Sequence, residues 1–247
     1  MRLFGLIGKT LKHSFSKGYF TQKFSELGLT DCRYENFELP SINDFKALLD
    51  SHPELEGLNV TIPYKEAVLP YLDVQSKVVK EVGACNCIKI LDGRLYGFNT
   101  DVVGFRKSLE KVLLPHHTKA LVLGTGGAAK AVHYALKQLD ITTAIVSRRK
   151  EAGGFTYADV TPEIIKDHLL IVNTTPVGMY PGVDEAPDLP YASLTLRHLL
   201  YDLIYNPGKT LFLQKGEERG AFIANGQEML ELQAEESWRI WSSPLPL

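Results

Sequence analysis

Cysteine, methionine and tryptophan are scarce in this chain of 247 residues, at 3, 3 and 2 respectively. Cys32, Cys85 and Cys87 form an odd set with no C-x-x-C spacing, and no His or Cys cluster completes a metal site. A disulfide framework and a bound metal are therefore not expected, and a reducing cytoplasm is the expected home. No apolar run reaches the roughly 18 residues that a membrane span needs. The opening Met1-Arg2-Leu3-Phe4-Gly5-Leu6-Ile7-Gly8-Lys9 is too short and too soon charged for a signal peptide, and it reads as a first strand. Charge of one sign is also missing: a net charge of -2 gives no electrostatic reason to expect nucleic acid or an anionic membrane as partner. Internal repeats and low-complexity segments are absent, which excludes a repeat array.

What remains is an ordinary core-forming composition, 45% hydrophobic and 23% charged, long enough for one large or two modest domains. The first hundred residues alternate short apolar runs with helical stretches. Strands are expected at 2–7, 33–39 and 58–61, the last of which must stop at Pro63. Helices are expected at 16–27, closed by Gly28, and at 42–49, opened by Ser41. Residues 87–91 and 94–98 flank Asp92-Gly93 and read as a hairpin. Cys85 and Cys87, two apart, would share one side of a strand. From Asp101 a helical pattern through Val102, Phe105, Leu109 and Val112 runs to Pro115. His116-His117 follows in a loop where paired histidines are expected to be solvated.

A second unit starts with Lys119-Ala120-Leu121-Val122-Leu123, a continuous apolar strand suited to a buried parallel sheet. Gly124-Thr125-Gly126-Gly127-Ala128-Ala129 comes next, then a helical pattern to Leu139 and a strand at 143–146. Strand, glycine turn, helix and strand within about 30 residues make a βαβ unit. Later strands are expected at 169–173 and 199–203, and a last helix at 227–241.

Gly124, Gly126 and Gly127, with Ala129 as the last member, satisfy G-x-G-x-x-G/A between strand and helix. Small residues there let a backbone approach a pyrophosphate at the helix N-terminus, although a tight turn alone can also demand glycine. NAD would call for an acid at the end of the second strand, to accept from the ribose 2′-hydroxyl. Ser147-Arg148-Arg149-Lys150 has three cations instead, and arginine offers fork geometry for a 2′-phosphate. NADP is the expected cofactor, with a solvated basic turn as the alternative. In the first half, Ser14 and Ser16 within His13-Ser14-Phe15-Ser16 would face the same way in an extended segment. They could hold an anionic group, or Ser16 could serve only as a helix N-cap.

Together these segments resemble the shikimate dehydrogenase family, the group of shikimate 5-dehydrogenases and quinate/shikimate dehydrogenases. The resemblance rests on Ser14-x-Ser16, Asn59-Val60-Thr61-x-Pro63-x-Lys65, Gly83-Ala84-Cys85-Asn86, Asn99-Thr100-Asp101 and the glycine turn. It continues through Asn173-Thr174-Thr175-Pro176-x-Gly178-Met179, Tyr201-Asp202-x-x-Tyr205-x-Pro207-x-x-Thr210, and Gln233. It implies an α/β chain of two domains: a substrate-binding catalytic domain of residues 1–101 plus 226–247, and a Rossmann-like NADP-binding domain of 102–225. The second half of the latter is expected to be somewhat shortened. The implied activity is NADPH-dependent, reversible reduction of 3-dehydroshikimate to shikimate in aromatic amino-acid synthesis, by a monomer or homodimer.

By the family pattern Ser14, Ser16 and Tyr205 would hold the substrate carboxylate, and Thr61, Lys65, Asn86, Asp101 and Gln233 the ring hydroxyls. Gln233 lies far along the chain, so the final helix must fold back onto the first domain. Gly124, Gly126, Gly127, Ala128, Ser147, Arg148, Arg149 and Thr174 would hold the cofactor. Hydride addition to a ketone builds negative charge on oxygen, so a donor must be aimed there. Lys65 can donate and then give up a proton while Asp101 orients it; the alternative is a structural ion pair.

The chain departs from the pattern in four places. Lys17 stands where proline usually follows the second serine. Ser147-Arg148-Arg149 replaces a common Asn-Arg-Thr. A helix common between 150 and 169 is shortened or absent. Cys85 and Cys87 flank Asn86, so thiol reagents are expected to inhibit. A quinate-preferring relative and a catalytically silent NADP-binding module are the competing functions, though the silent module would be marked by loss of Lys65 or Asp101.

Overall fold

In the computed structural model, which describes residues 1–12, 14–149 and 153–244, the chain divides into two α/β units. The first is Met1–Thr100 with Ala234–Leu247, and the second is Asp101–Gln233.

In the first unit β1 (Arg2–Gly8) is buried from Leu3 onward, as a strand covered on both faces must be. It pairs in parallel with β2 (Cys32–Glu38) and β3 (Leu55–Val60). The crossovers are α1 (Phe15–Glu26) and α2 (Phe45–Ser51). Ser41 opens the turn before α2 with a capping box: its hydroxyl accepts from Asn43 N, and Asp44 accepts from Ser41 N. α3 (Tyr64–Ala67), β4 (Val74–Gln75) and α4 (Lys77–Val82) lead to β5 (Cys87–Leu91) and β6 (Arg94–Phe98). β5 and β6 form the expected hairpin, with positive φ at both Asp92 (50°) and Gly93 (72°) as its two-residue turn demands. Strand order is β2-β1-β3-β5-β6-β4, with β5 antiparallel to both neighbours.

Alternate residues of β1 serve different layers: Leu3 and Ile7 join Phe45, Leu58, Val79 and Ile88, whereas Phe4 and Leu6 join an aromatic layer. There Phe20 stacks on Tyr34 at 4.6 Å between ring centroids, and Phe4 on Trp241 at 5.1 Å. The Trp241 indole N–H donates to the Ile88 carbonyl at 2.9 Å. It lies so close to β3 that a Cβ on Gly57 would sit 2.4 Å from it, so only glycine fits.

The second unit starts at α5 (Asp101–Glu110), which stops short of the expected Pro115. β7 (Lys119–Leu123), α6 (Gly127–Gln138), β8 (Thr142–Ser147), β9 (Phe155–Thr156), α7 (Pro162–Asp167), β10 (Leu170–Asn173), β11 (Leu199–Asp202), α8 (Leu211–Glu217) and β12 (Phe222–Ala224) follow. The sheet is wholly parallel, in the order β12-β11-β10-β7-β8-β9. This is the doubly wound Rossmann order, with its switch point between β7 and β10. β10 is buried throughout and β7 from Ala120 onward, which is why both read as unbroken apolar runs. The expected shortening is found between β8 and β10, ahead of the second half of the winding: β9 has two residues and α7 six.

α9 (Gln227–Ser242) closes the described chain, and the unit boundary falls inside it at Ala234 rather than ahead of it at 226. The cause is packing. A Cβ on Gly104 of α5 would lie 2.6 Å from the Met229 carbonyl, and Lys111 pairs with Glu228, so the first turns of α9 belong with α5. Ala234, Ile240 and Trp241 instead complete the aromatic layer of the first unit.

Two further expectations are corrected. His117 is 2% exposed rather than solvated: its Nδ1 accepts from Leu114 N and its Nε2 lies 3.0 Å from the Arg197 carbonyl. Burial holds its pKa below the ordinary value, so it serves as a neutral tie between backbones. Cys85 and Cys87 do not share a side, because Cys85 precedes β5 and strand alternation does not reach it. Cys85 packs in the layer of Leu58 and Ile88, and Cys87 in the aromatic layer. Both are fully buried, which shields them from thiol reagents, and burial also pushes the Cys87 thiol up. Among the described residues no helix is long and apolar enough to cross a membrane, and no group of three His, Cys, Asp or Glu could hold a metal ion.

Candidate active site

The glycine turn leaves the carboxyl end of β7 beside the switch point. Gly124 has φ 114°, a backbone that side chains rarely adopt, and a Cβ there would lie 2.7 Å from Thr174 Oγ1. Its N–H donates to Val146 O at 2.8 Å. Thr174, just past β10, donates from both its N–H (3.0 Å) and its hydroxyl (2.5 Å) to the Leu123 carbonyl, locking the ends of β7 and β10 together. Gly126 is the N-cap of α6, and a Cβ there would meet nothing within 4 Å. Packing inside the protein therefore does not require glycine at this position, and the space beside it is open. Gly127 and Ala128, both half-buried, form the first turn of α6, which carries no acidic side chain. Free backbone N–H groups and the helix dipole favour an anion there, so these residues fit a dinucleotide pyrophosphate.

At the end of β8, next in the sheet, Ser147 is buried and its hydroxyl donates to the Arg149 carbonyl. That bond fixes the turn and leaves the Arg148 and Arg149 side chains exposed, as two cations able to fork onto a phosphate. Lys150, the third cation of the run, lies outside the described residues.

Asp202, at the end of β11, has a role that periodicity could not announce. It is fully buried and accepts from Asn173 Nδ2 (3.1 Å), Ile204 N (3.0 Å) and Thr210 Oγ1 (2.6 Å). Burial outweighs these donors and raises its carboxyl to about 6. Asn173 in turn accepts from Thr175 N at 3.0 Å, so one carboxylate ties together the loops that follow β10 and β11. Periodicity showed only polar residues closing two apolar strands, and the family motifs held Asn173, Asp202 and Thr210 without showing that they pair. Tyr205 follows in the second of these loops, half-buried, with burial raising its phenol.

In the first unit, the carboxyl ends of β1, β3 and β6 and the amino end of β5 meet at one edge of the sheet. That geometry gathers Ser14, Ser16, Thr61, Lys65 and Asn86 from distant stretches of sequence. Helix α1 starts at Phe15, so Ser14 is the N-cap position and Ser16 lies inside the first turn. Ser16 is therefore not the cap. It is 9% exposed. Ser14 makes no capping bond, and its Oγ is buried without a partner among the described residues. His13 lies outside the described residues. Lys17 directs its charge to Glu35 at 2.6 Å, in an exposed pair.

Thr61 directly follows β3, and Lys65 sits half-buried in α3 with its carbonyl accepting from Cys85 N at 2.7 Å. Asn86 is 3% exposed and tied to Thr100 by several hydrogen bonds. Asp101, the first residue of α5, is 6% exposed and is counted with the second unit. Gln233 and Tyr205 are also counted there, and Gln233 Nε2 donates to the Leu230 carbonyl at 2.9 Å.

Comparison with known proteins adds an independent line. Residues 6–88 match the family model described as shikimate dehydrogenase substrate binding domain. A shikimate dehydrogenase (NADP(+)) of Caldicellulosiruptor saccharolyticus is 36% identical, with 98% of this chain and 92% of the relative aligned. The crystal structure of Thermus thermophilus shikimate 5-dehydrogenase in complex with NADP(H) and shikimate superposes with a TM-score of 0.88 at 31% identity, covering 100% of this chain and 95% of that one. A quinate dehydrogenase from Corynebacterium glutamicum in complex with NAD reaches a TM-score of 0.87 at 27% identity, over 98% of this chain and 93% of that one.

Proposed function

The chain belongs to the shikimate dehydrogenase family, and from that premise we propose that it reversibly reduces 3-dehydroshikimate to shikimate with NADPH. The observation that carries this function is 36% identity to a shikimate dehydrogenase (NADP(+)) along nearly the whole of both chains. The glycine turn at the switch point and the two exposed arginines support NADP as the cofactor. When bound, NADPH supplies the hydride that reduces the ring ketone.

Gly124, Gly126, Gly127 and Ala128 receive the pyrophosphate, Thr174 holds the turn in place, and Arg148 and Arg149 pair the 2′-phosphate on the turn that Ser147 fixes. Ser14, Ser16 and Tyr205 hold the substrate carboxylate. Ser14 Oγ, buried without a partner among the described residues, supports that role, since a buried hydroxyl without an acceptor is costly until a ligand provides one. Thr61, Asn86 and Gln233 hold ring hydroxyls. Lys65 gives a proton to the oxygen as charge develops on it, and Asp101 orients the lysine and a neighbouring hydroxyl. The neutral lysine then regains its proton from solvent. In the reverse direction Lys65 takes the hydroxyl proton as hydride leaves the carbon.

Likeness to the quinate dehydrogenase favours a second activity, oxidation of quinate by the same site. Cofactor reduction is to be followed by absorbance with shikimate or quinate, each with NADP or NAD. Turnover is expected to be fastest with shikimate and NADP. A folded protein with no turnover on any pair would leave a silent NADP-binding module as the function. The enzyme works in the cytoplasm as a monomer or homodimer, and light scattering distinguishes the two states.

A further inference from the structure

We propose that Ser237 and Thr100 are positioning residues, which hold the Asn86 carboxamide so that it presents only an N–H to the ring oxygen it binds. The proposal rests on Asn86 holding a ring hydroxyl, as given above.

The orientation of Asn86 follows from the chemistry of its neighbours. Thr100 N lies 2.6 Å from Asn86 Oδ1, and a backbone amide can only donate, so this end of the carboxamide is the oxygen. The same oxygen lies 3.3 Å from the Thr100 hydroxyl, which fills its second acceptor position. One amide proton of Asn86 goes to Thr100 Oγ1 at 2.9 Å. The other has no partner among the described residues, and it is what Asn86 can offer a ligand. A ring oxygen meeting it must accept.

Ser237 closes the network from α9, 137 residues away from Thr100 in sequence, with the two hydroxyls 3.3 Å apart. It accepts from Asn59 Nδ2 at 2.9 Å, and the second proton of that amide goes to the Asn86 carbonyl at 3.3 Å. Tyr34 donates to Asn59 Oδ1 at 2.9 Å, which fixes the Asn59 amide as well. Thr100 and Ser237 are both fully buried, so neither hydroxyl can turn to solvent. Removing the Ser237 hydroxyl strands an Asn59 proton and takes away one of the groups that hold the Thr100 hydroxyl. Asn86 is then held less firmly, with the Thr100 backbone N–H still on its oxygen.

The test is a comparison of KM with kcat in Ser237→Ala, Thr100→Val, Thr100→Ser and Asn86→Ala, with melting temperatures recorded for each. Ser237→Ala and Thr100→Val are expected to raise KM for shikimate about tenfold, roughly the worth of one hydrogen bond. Their kcat and KM for NADP should stay within about twofold, because the contact is made equally in the ground and transition states. Thr100→Ser keeps the hydroxyl and is expected to restore the wild-type KM. A purely structural role would lower the melting temperature and leave KM unchanged. Folded Ser237→Ala and Thr100→Val proteins with wild-type KM, beside an Asn86→Ala protein with raised KM, overturn the positioning role alone. An unchanged KM in Asn86→Ala overturns the role of Asn86 and the proposal with it. If Ser237→Ala does not fold, the two Thr100 variants decide.

Discussion

At the carboxyl edge of the first sheet the buried polar groups are hydroxyls and carboxamides, among them Tyr34, Asn59, Asn86, Thr100 and Ser237. At the matching edge of the second sheet they converge on a carboxylate, Asp202, held by an amide, a hydroxyl and a backbone N–H. Both arrangements satisfy buried polar atoms, and both fix loops that carry residues proposed above to bind ligand. Their response to pH differs. The first network has no group that ionises near neutrality, since burial raises the Tyr34 phenol far above its usual range. The second contains a group whose charge is opposed by burial and only partly recovered by its donors.

The largest expected effect is on turnover. Lys65→Met should lower kcat by about 10²–10⁴-fold, the range for loss of a general acid–base group. Near-normal kcat with only a raised KM would make Lys65 a binding residue. Next comes the pH dependence of the second unit. The folded pKa of Asp202, about 6, lies above the unfolded value, so the folded state holds the proton more tightly. Its stabilising contribution is full below about pH 4 and is lost as pH rises to about 6, by at most about 3 kcal/mol. Denaturant midpoints across that window should show the decline in wild type but not in Asp202→Asn, and an unchanged slope in the variant would remove Asp202 as its source.

Tyr34→Phe probes the first network in the same way. It leaves Asn59 Oδ1 buried without its donor and should cost about 1–3 kcal/mol, equally at pH 4 and pH 6. A cost that varied across that window would erase the contrast between the units. The smallest effect on folding belongs to Gly126→Ala. With open space around the new methyl, stability should stay within about 0.5 kcal/mol, while KM for NADP rises about tenfold or more. A large drop in melting temperature with unchanged KM would show that the turn serves the fold alone.

The long elements were legible in the sequence because their periods had room to repeat. β1, the β5–β6 hairpin, β7, α6 and α9 all lie where apolar spacing puts them. β4, β9 and β12, at two or three residues, are shorter than any period that could reveal them, and α7 and α8 are held in place by the sheet they cover. The unit boundary inside α9 was hidden for a different reason: the helical pattern there has no break, and only its partners change. Candidate site residues were legible in the sequence only where they formed a motif. Pairings such as Asn59 with Ser237, 178 residues apart, leave no local signal, because both residue types also occur on surfaces. The reach of Lys17 to Glu35 and the burial of Cys85 beside Lys65 were equally invisible until the chain was folded.

The seating of Trp241 on Gly57 also bears on how the protein is made. The strands of the first unit leave the ribosome first, yet their aromatic layer lacks its closing indole until the last helix has been synthesised. The parallel sheet of the second unit, contained within residues 101–233, is complete before that. A nascent chain therefore finishes its later sheet while the earlier one still exposes Phe4, Phe20 and Tyr34. During that interval the early strands keep apolar surface uncovered, and a chain that stops between Gln233 and Trp241 has a complete second sheet beside an aromatic layer without its closing indole.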